Sequence, residues 1–173
     1  MQVQKSNRKF LRFPVISHGA EFLVQGFLMR RNILTYKAPP SNEGYDLICI
    51  HPDPRIKSEQ VRIQVKSRYQ TDCNKTAPIK EKALNAFDFL IVVFQNIGYF
   101  YRRSSISSPE RNQPEFWTLP VDFVRKQFDS RYSWQRINLK DVNEKYKNEN
   151  GFELIAKRLK IDYPSRGQEV ICP

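Results

Sequence analysis

Four side chains have types and spacings that could do chemistry together. Asp46 opens the apolar run Tyr45-Asp46-Leu47-Ile48-Cys49-Ile50, where a lone carboxylate is costly to bury unless it is paired or bound to a metal. Gln64 and Lys66 stand two residues apart in the alternating stretch Val61 to Tyr69. In a strand that spacing puts an amide and an ammonium on one face, roughly 6–7 Å apart. Glu21 sits at the edge of the apolar stripe of an amphipathic segment, where it can lean toward the sheet that the stripe covers. Each has an ordinary explanation as well. Asp46 can be a turn carboxylate satisfied by nearby backbone N–H groups. Gln64 and Lys66 can be the solvated face of a half-buried strand. Glu21 can be a rim glutamate favoured by the dipole at a helix start. Taken together, the set reads as a cross-strand ion pair or as a metal site with an attendant lysine.

The elements that must position these residues are legible from periodicity. Ala20, Leu23, Val24, Phe27 and Leu28 recur at helical spacing and predict a helix over His18–Asn32, with Ser17 as its N-cap. Strands are expected over Ile33–Lys37, Tyr45–His51 and Val61–Tyr69, the last with Val61, Ile63 and Val65 opposite Arg62, Gln64, Lys66 and Arg68. The second and third strands make an antiparallel hairpin. If His51 pairs with Val61, Asp46 lies opposite Lys66 with Gln64 diagonal to it. All three then share a face, and a slip of one residue would separate them.

Further along, a helix of about ten residues is expected after Pro78, with Ile79, Ala83, Leu84 and Phe87 inward. The unbroken apolar run Phe89–Gln95 predicts a central strand covered on both faces. Gly98–Arg102 and Phe116–Leu119 are candidate strands, and Val121–Phe128 and Phe152–Leu159 are candidate helices. The order gives an α/β (α+β) domain with a central mixed sheet flanked by helices. Residues 1–15 read as a basic arm, 16–128 as the core, and 129–173 as a basic C-terminal helical extension packed on it.

Gly19-Ala20-Glu21 on the first helix, Tyr45-Asp46-Leu47-Ile48 on the second strand and Gln64-Val65-Lys66 on the third resemble the PD-(D/E)XK nuclease superfamily. The Gln variant is similar to that of intron-encoded homing endonucleases and related small prokaryotic nucleases. The resemblance covers roughly residues 16 to 102 and implies a restriction-endonuclease-like core of order αβββαβ. It implies Glu21, Asp46, Gln64 and Lys66 as catalytic residues. Glu21, Asp46 and Gln64 would hold Mg²⁺ or Mn²⁺, for which hard oxygen ligands are suited. Lys66 would stabilise developing charge or position the attacking water. Gln64 departs from the usual second acid, because an amide oxygen is a neutral and weaker ligand than a carboxylate. Arg62, Arg68, Arg102 and Arg103 are then candidates for contacts with phosphates. The implied activity is a metal-dependent DNA endonuclease, site-specific in the homing or restriction manner. The alternatives are a non-catalytic nucleic-acid-binding protein on the same fold, or a nuclease for branched DNA or structured RNA.

Composition bounds this reading without deciding it. The 173 residues carry 29 Lys and Arg against 18 Asp and Glu, a formal net charge of +11, which favours a polyanionic partner, double-stranded DNA first. Forty per cent hydrophobic residues exclude a disordered basic tail. The longest apolar run falls far short of a membrane span, and no apolar leader is visible. Three scattered cysteines, Cys49, Cys73 and Cys172, make no disulfide framework and no zinc spacing. The expectation is a cytoplasmic protein without membrane contact. Because one such site cuts one strand, the expected assembly is a homodimer or a higher symmetric oligomer.

Overall fold

A computed structural model describes residues 14–40, 42–69, 75–96, 112–131 and 135–162. The first helix, α1, runs Pro14–Met29. It starts ahead of the expected His18, because the fixed φ of Pro14 suits a first helical turn where no N–H is needed. It closes when Asn32 adopts the left-handed conformation, φ 59°, and the Ile33 N–H donates to the Leu28 carbonyl at 3.1 Å, a Schellman-type ending. Ala20, Val24 and Leu28 form its fully buried stripe.

The strands β1 (Leu34–Lys37), β2 (Leu47–Ile50), β3 (Val61–Arg68), β5 (Phe89–Phe94) and β6 (Glu115–Pro120) make a five-stranded sheet in the order β1-β2-β3-β5-β6. The β3–β5 pair is parallel and the others are antiparallel, so the sheet is mixed. Every residue of β5 is buried, as the unbroken apolar run predicted for a central strand. Short strands β4 (Thr76–Pro78), β8 (Arg136–Asn138) and β7 (Phe128–Asp129) form a second, antiparallel sheet. Helix α2 spans Val121–Gln127 and α3 spans Asn148–Arg158.

Period-two alternation divides the five-stranded sheet into two faces. Leu47, Cys49, Val61, Ile63, Val65, Ile91, Val93 and Phe116 pack under α1 and α3, joined by Phe152, Ile155 and Leu159. Leu90, Val92, Phe94, Trp117 and Leu119 pack on the other side with Ile79, Phe87, Val124 and Ile137.

Two local expectations are corrected. The segment after Pro78 forms a 3₁₀ turn over Glu81–Asn85 in place of a ten-residue helix. Pro78 pairs with Arg136 in β4, the Ile79 N–H goes on to donate to the Gln135 carbonyl at 3.1 Å, and Lys80 is extended, so helical turns start only at Glu81. Leu84 and Phe87 still point inward, and Arg125 donates to the Leu84 carbonyl at 3.2 Å. The β2–β3 register is Leu47↔Ile63, Ile48↔Arg62 and Cys49↔Val61, two residues from the one expected. Parity survives such a shift, so the shared face is kept, but the continued register brings Asp46 opposite Gln64 rather than Lys66. The expected strand at Gly98–Arg102 lies outside the described residues.

Candidate active site

Asp46 sits where the ladder between β2 and β3 ends. Its backbone N–H donates to the Ile63 carbonyl at 2.8 Å, and its own carbonyl accepts from the Ala38 N–H at 2.8 Å. The main chain is thus pinned between β1 and β3. The carboxylate takes over as pairing stops, with Oδ2 accepting the Val65 N–H at 2.7 Å and also the Gln64 side-chain amide. Backbone satisfaction is therefore real, although the donor is on the neighbouring strand and not in the turn. Asp46 Oδ1 makes no hydrogen bond among the described residues.

Gln64 is only 7% exposed, and Lys66 lies beside it on the same face of β3. Burial pushes the Asp46 carboxyl up from its ordinary value, and the Glu21 charge adds to that push. The Val65 hydrogen bond, the Lys66 charge and the Gln64 amide pull it back without cancelling it. Burial likewise pushes the Lys66 ammonium down, against the opposing pull of Asp46 and Glu21. Both charges are partly stripped of water, and each favours the charged form of the other.

Glu21 approaches from α1. Its side chain is 15% exposed and pairs with Lys37 Nζ of β1 at 2.6 Å. His18 Nδ1 stands 3.8 Å from the same oxygen. The charge of Glu21 bears on Asp46 and Lys66, while its own polar partners are Lys37 and His18. Among the described residues no group of three or more His, Cys, Asp or Glu side chains is placed to hold a metal ion. A cation here would have to use two carboxylates and an amide. The chemistry of that donor set fits: a second carboxylate raises the cost of the Asp46 charge, one Asp46 oxygen is free, and hard oxygens suit Mg²⁺ or Mn²⁺.

The arginines are placed differently. Arg62 shares the Lys66 face but is tied to Asp88, whose Oδ2 accepts from its backbone N–H at 2.7 Å and from Nε at 3.2 Å. Arg68 reaches the Thr76 hydroxyl at 3.3 Å. Arg102 and Arg103 lie outside the described residues.

The Gln64–Lys66 face opens into a cleft of about 670 Å³, lined also by Glu43, Lys80, Lys82 and Gln135. Gly44 is required in its wall. Its φ is +108°, and an added Cβ would stand 2.3 Å from the Ala86 Cβ, so only glycine lets this loop press against the 3₁₀ turn. The sequence reading passed over Lys80, Lys82 and Gln135. The triplet Lys80-Glu81-Lys82 was a signal, hidden by reading the segment for its apolar helical face. Gln135 carried none, since it is β8 pairing with β4 that delivers it.

Layers and strand order define a mixed α+β domain with a central mixed sheet flanked by helices. In structure the chain is similar to the bacterial homing endonuclease I-Ssp6803I, with a TM-score of 0.51 and 16% identity over 86% of this chain and 94% of that one. No family model matches the sequence, and no curated protein matches it either. No helix of the described residues is long and apolar enough to cross a membrane.

Proposed function

We propose that this chain is a metal-dependent endonuclease of the PD-(D/E)XK superfamily, hydrolysing phosphodiester bonds of double-stranded DNA. The observation that carries this is the Gln64 side chain reaching Asp46 across the strand pair, on the sheet face where Gln64 and Lys66 line a basic cleft, with the Glu21 charge bearing on both Asp46 and Lys66. The fold shared with a bacterial homing endonuclease supports it.

In this reading Asp46, Glu21 and the Gln64 amide oxygen would hold Mg²⁺ or Mn²⁺. The bound ion would supply Lewis acidity toward the scissile phosphate and its attacking water. Lys66 places an ammonium beside the charge that develops on the phosphate oxygens, in a site already poor in water. The Val65 N–H fixes the Asp46 carboxylate through Oδ2, which leaves Oδ1 for a cation. Arg62 and Arg68 flank Lys66 along β3 and follow the backbone phosphates. Two copies of the chain would be needed to cut both strands.

A second reading has one specific observation in its favour. The Gln64 amide presents its N–H to Asp46, which satisfies one carboxylate oxygen without any cation, as in a binding protein on a nuclease-like fold. Nicking of supercoiled plasmid in Mg²⁺ or Mn²⁺ separates the two. Lys66→Ala and Asp46→Asn should each lower the nicking rate by about 10²- to 10³-fold. Equal nicking by all three proteins would remove the site, and DNA binding without nicking in either metal would establish the second reading.

A further inference from the structure

The cleft beside Lys66 carries donors that the reaction above leaves unused. Lys66, Lys80 and Lys82 bring three ammoniums to its walls against a single carboxylate, Glu43. Glu43 is held by Lys82 at 2.8 Å, but both side chains are mostly exposed, at 81% and 65%. Such a pair is weak and screened by water, so a stronger anion can take its place. Gln135 accepts the Glu81 N–H through Oε1 at 2.8 Å, which leaves its amide hydrogens free to donate. Lys80 is exposed and makes no ion pair among the described residues. Its charge also works against the Lys66 ammonium. Like charges gathered in one place cost free energy until an anion enters. The volume exceeds that of a simple ion, and Gln64 and Lys66 line the same cleft as these donors. A sugar–phosphate backbone meets both conditions.

We propose that Lys80, Lys82 and the Gln135 amide form a second phosphate subsite, gripping the phosphate next to the scissile one on the strand being cut. The subsite rests on the nuclease reading above and adds its substrate contact. It touches phosphate alone, so it contributes affinity and strand register without sequence preference.

The test is fluorescence anisotropy of a labelled duplex in EDTA, where nothing depends on cleavage, across a series of salt concentrations. Lys80→Ala and Lys82→Ala should each weaken binding roughly fivefold, equally for unrelated sequences, and each should reduce the slope of log K against log salt by about 0.9. Lys80→Arg should restore the slope. Lys157→Ala, on α3 at the opposite face of the sheet, should leave it unchanged. Wild-type slopes in both cleft variants would overturn the subsite while leaving the nuclease reading intact. A wild type that binds with these slopes and never cuts would remove the nuclease and keep the subsite as a binding feature. A wild type that binds no duplex would overturn both.

Discussion

The two faces of β3 are made by one backbone and ask opposite things of their side chains. Val61, Ile63 and Val65 lie under α1 and α3, between 0 and 7% exposed, in a cluster of apolar side chains. Arg62, Gln64 and Lys66 point the other way, toward Asp88, Asp46 and the cleft. The first face stabilises by leaving water. The second carries partly desolvated charges that the first must offset. A period of two lets eight residues do both tasks, and the stiffness of the packed face is what holds the polar one in register.

The largest expected break in this contrast comes from the apolar side. Ile63 is 0% exposed, in the middle of the strand. Ile63→Ala should cost about 3 kcal/mol of stability in denaturant unfolding, from lost burial plus the cavity left behind. The molecules that remain folded should cut at the wild-type rate. A loss below about 0.5 kcal/mol would mean that this face is not the closed core described.

A smaller effect of opposite sign is expected across the strand. Burial raises the Asp46 carboxyl above its ordinary 3.8. A raised acid contributes stability below its unfolded value and loses it as pH climbs through the folded one. At neutral pH the folded protein therefore carries the penalty of the desolvated charge. Asp46→Asn keeps an oxygen for the Val65 N–H and removes that penalty. Its Tm should exceed wild type at pH 7, with the gap closing as pH falls toward 3.8. A Tm below wild type at pH 7 would make Asp46 a structural ion-pair member first.

The same contrast explains what could be read in advance. Parity is a property of sequence, so the shared face of Asp46, Gln64 and Lys66 was legible even though the hairpin register was misplaced by two residues. The apolar run at β5 announced a central strand because no residue in it could face water. The 3₁₀ turn was not legible, because Ile79, Ala83, Leu84 and Phe87 suit a helix equally well, and it is the pairing of this segment with β8, carried on to Ile79 and Gln135, that holds its start extended. Lys80, Lys82 and Gln135 reach the cleft through contacts between β4 and β8, segments more than 50 residues apart, which no local spacing encodes. The partner of Glu21 escaped for a related reason. Lys37 ends β1, and the helix-to-strand packing that joins them is tertiary.

That pair gives the smallest prediction and the sharpest one for the site. Lys37 is 35% exposed and Glu21 15%, and the Lys37 ammonium also stands 4.6 Å from the centre of the Phe22 ring. A half-exposed ion pair with one ring contact is worth at most about 1 kcal/mol, and Met keeps the apolar stem over the ring. Lys37→Met should therefore move stability by less than that. If Glu21 belongs with Asp46, the ammonium of Lys37 competes with any cation for its oxygens. Removing the competitor should then increase the rise in Tm that Mn²⁺ produces, because a ligand of the folded state stabilises in proportion to its affinity. If Glu21 serves only to anchor α1 to β1, the rise in the variant will match wild type. In that case the reactive face of β3 is complete without the helix.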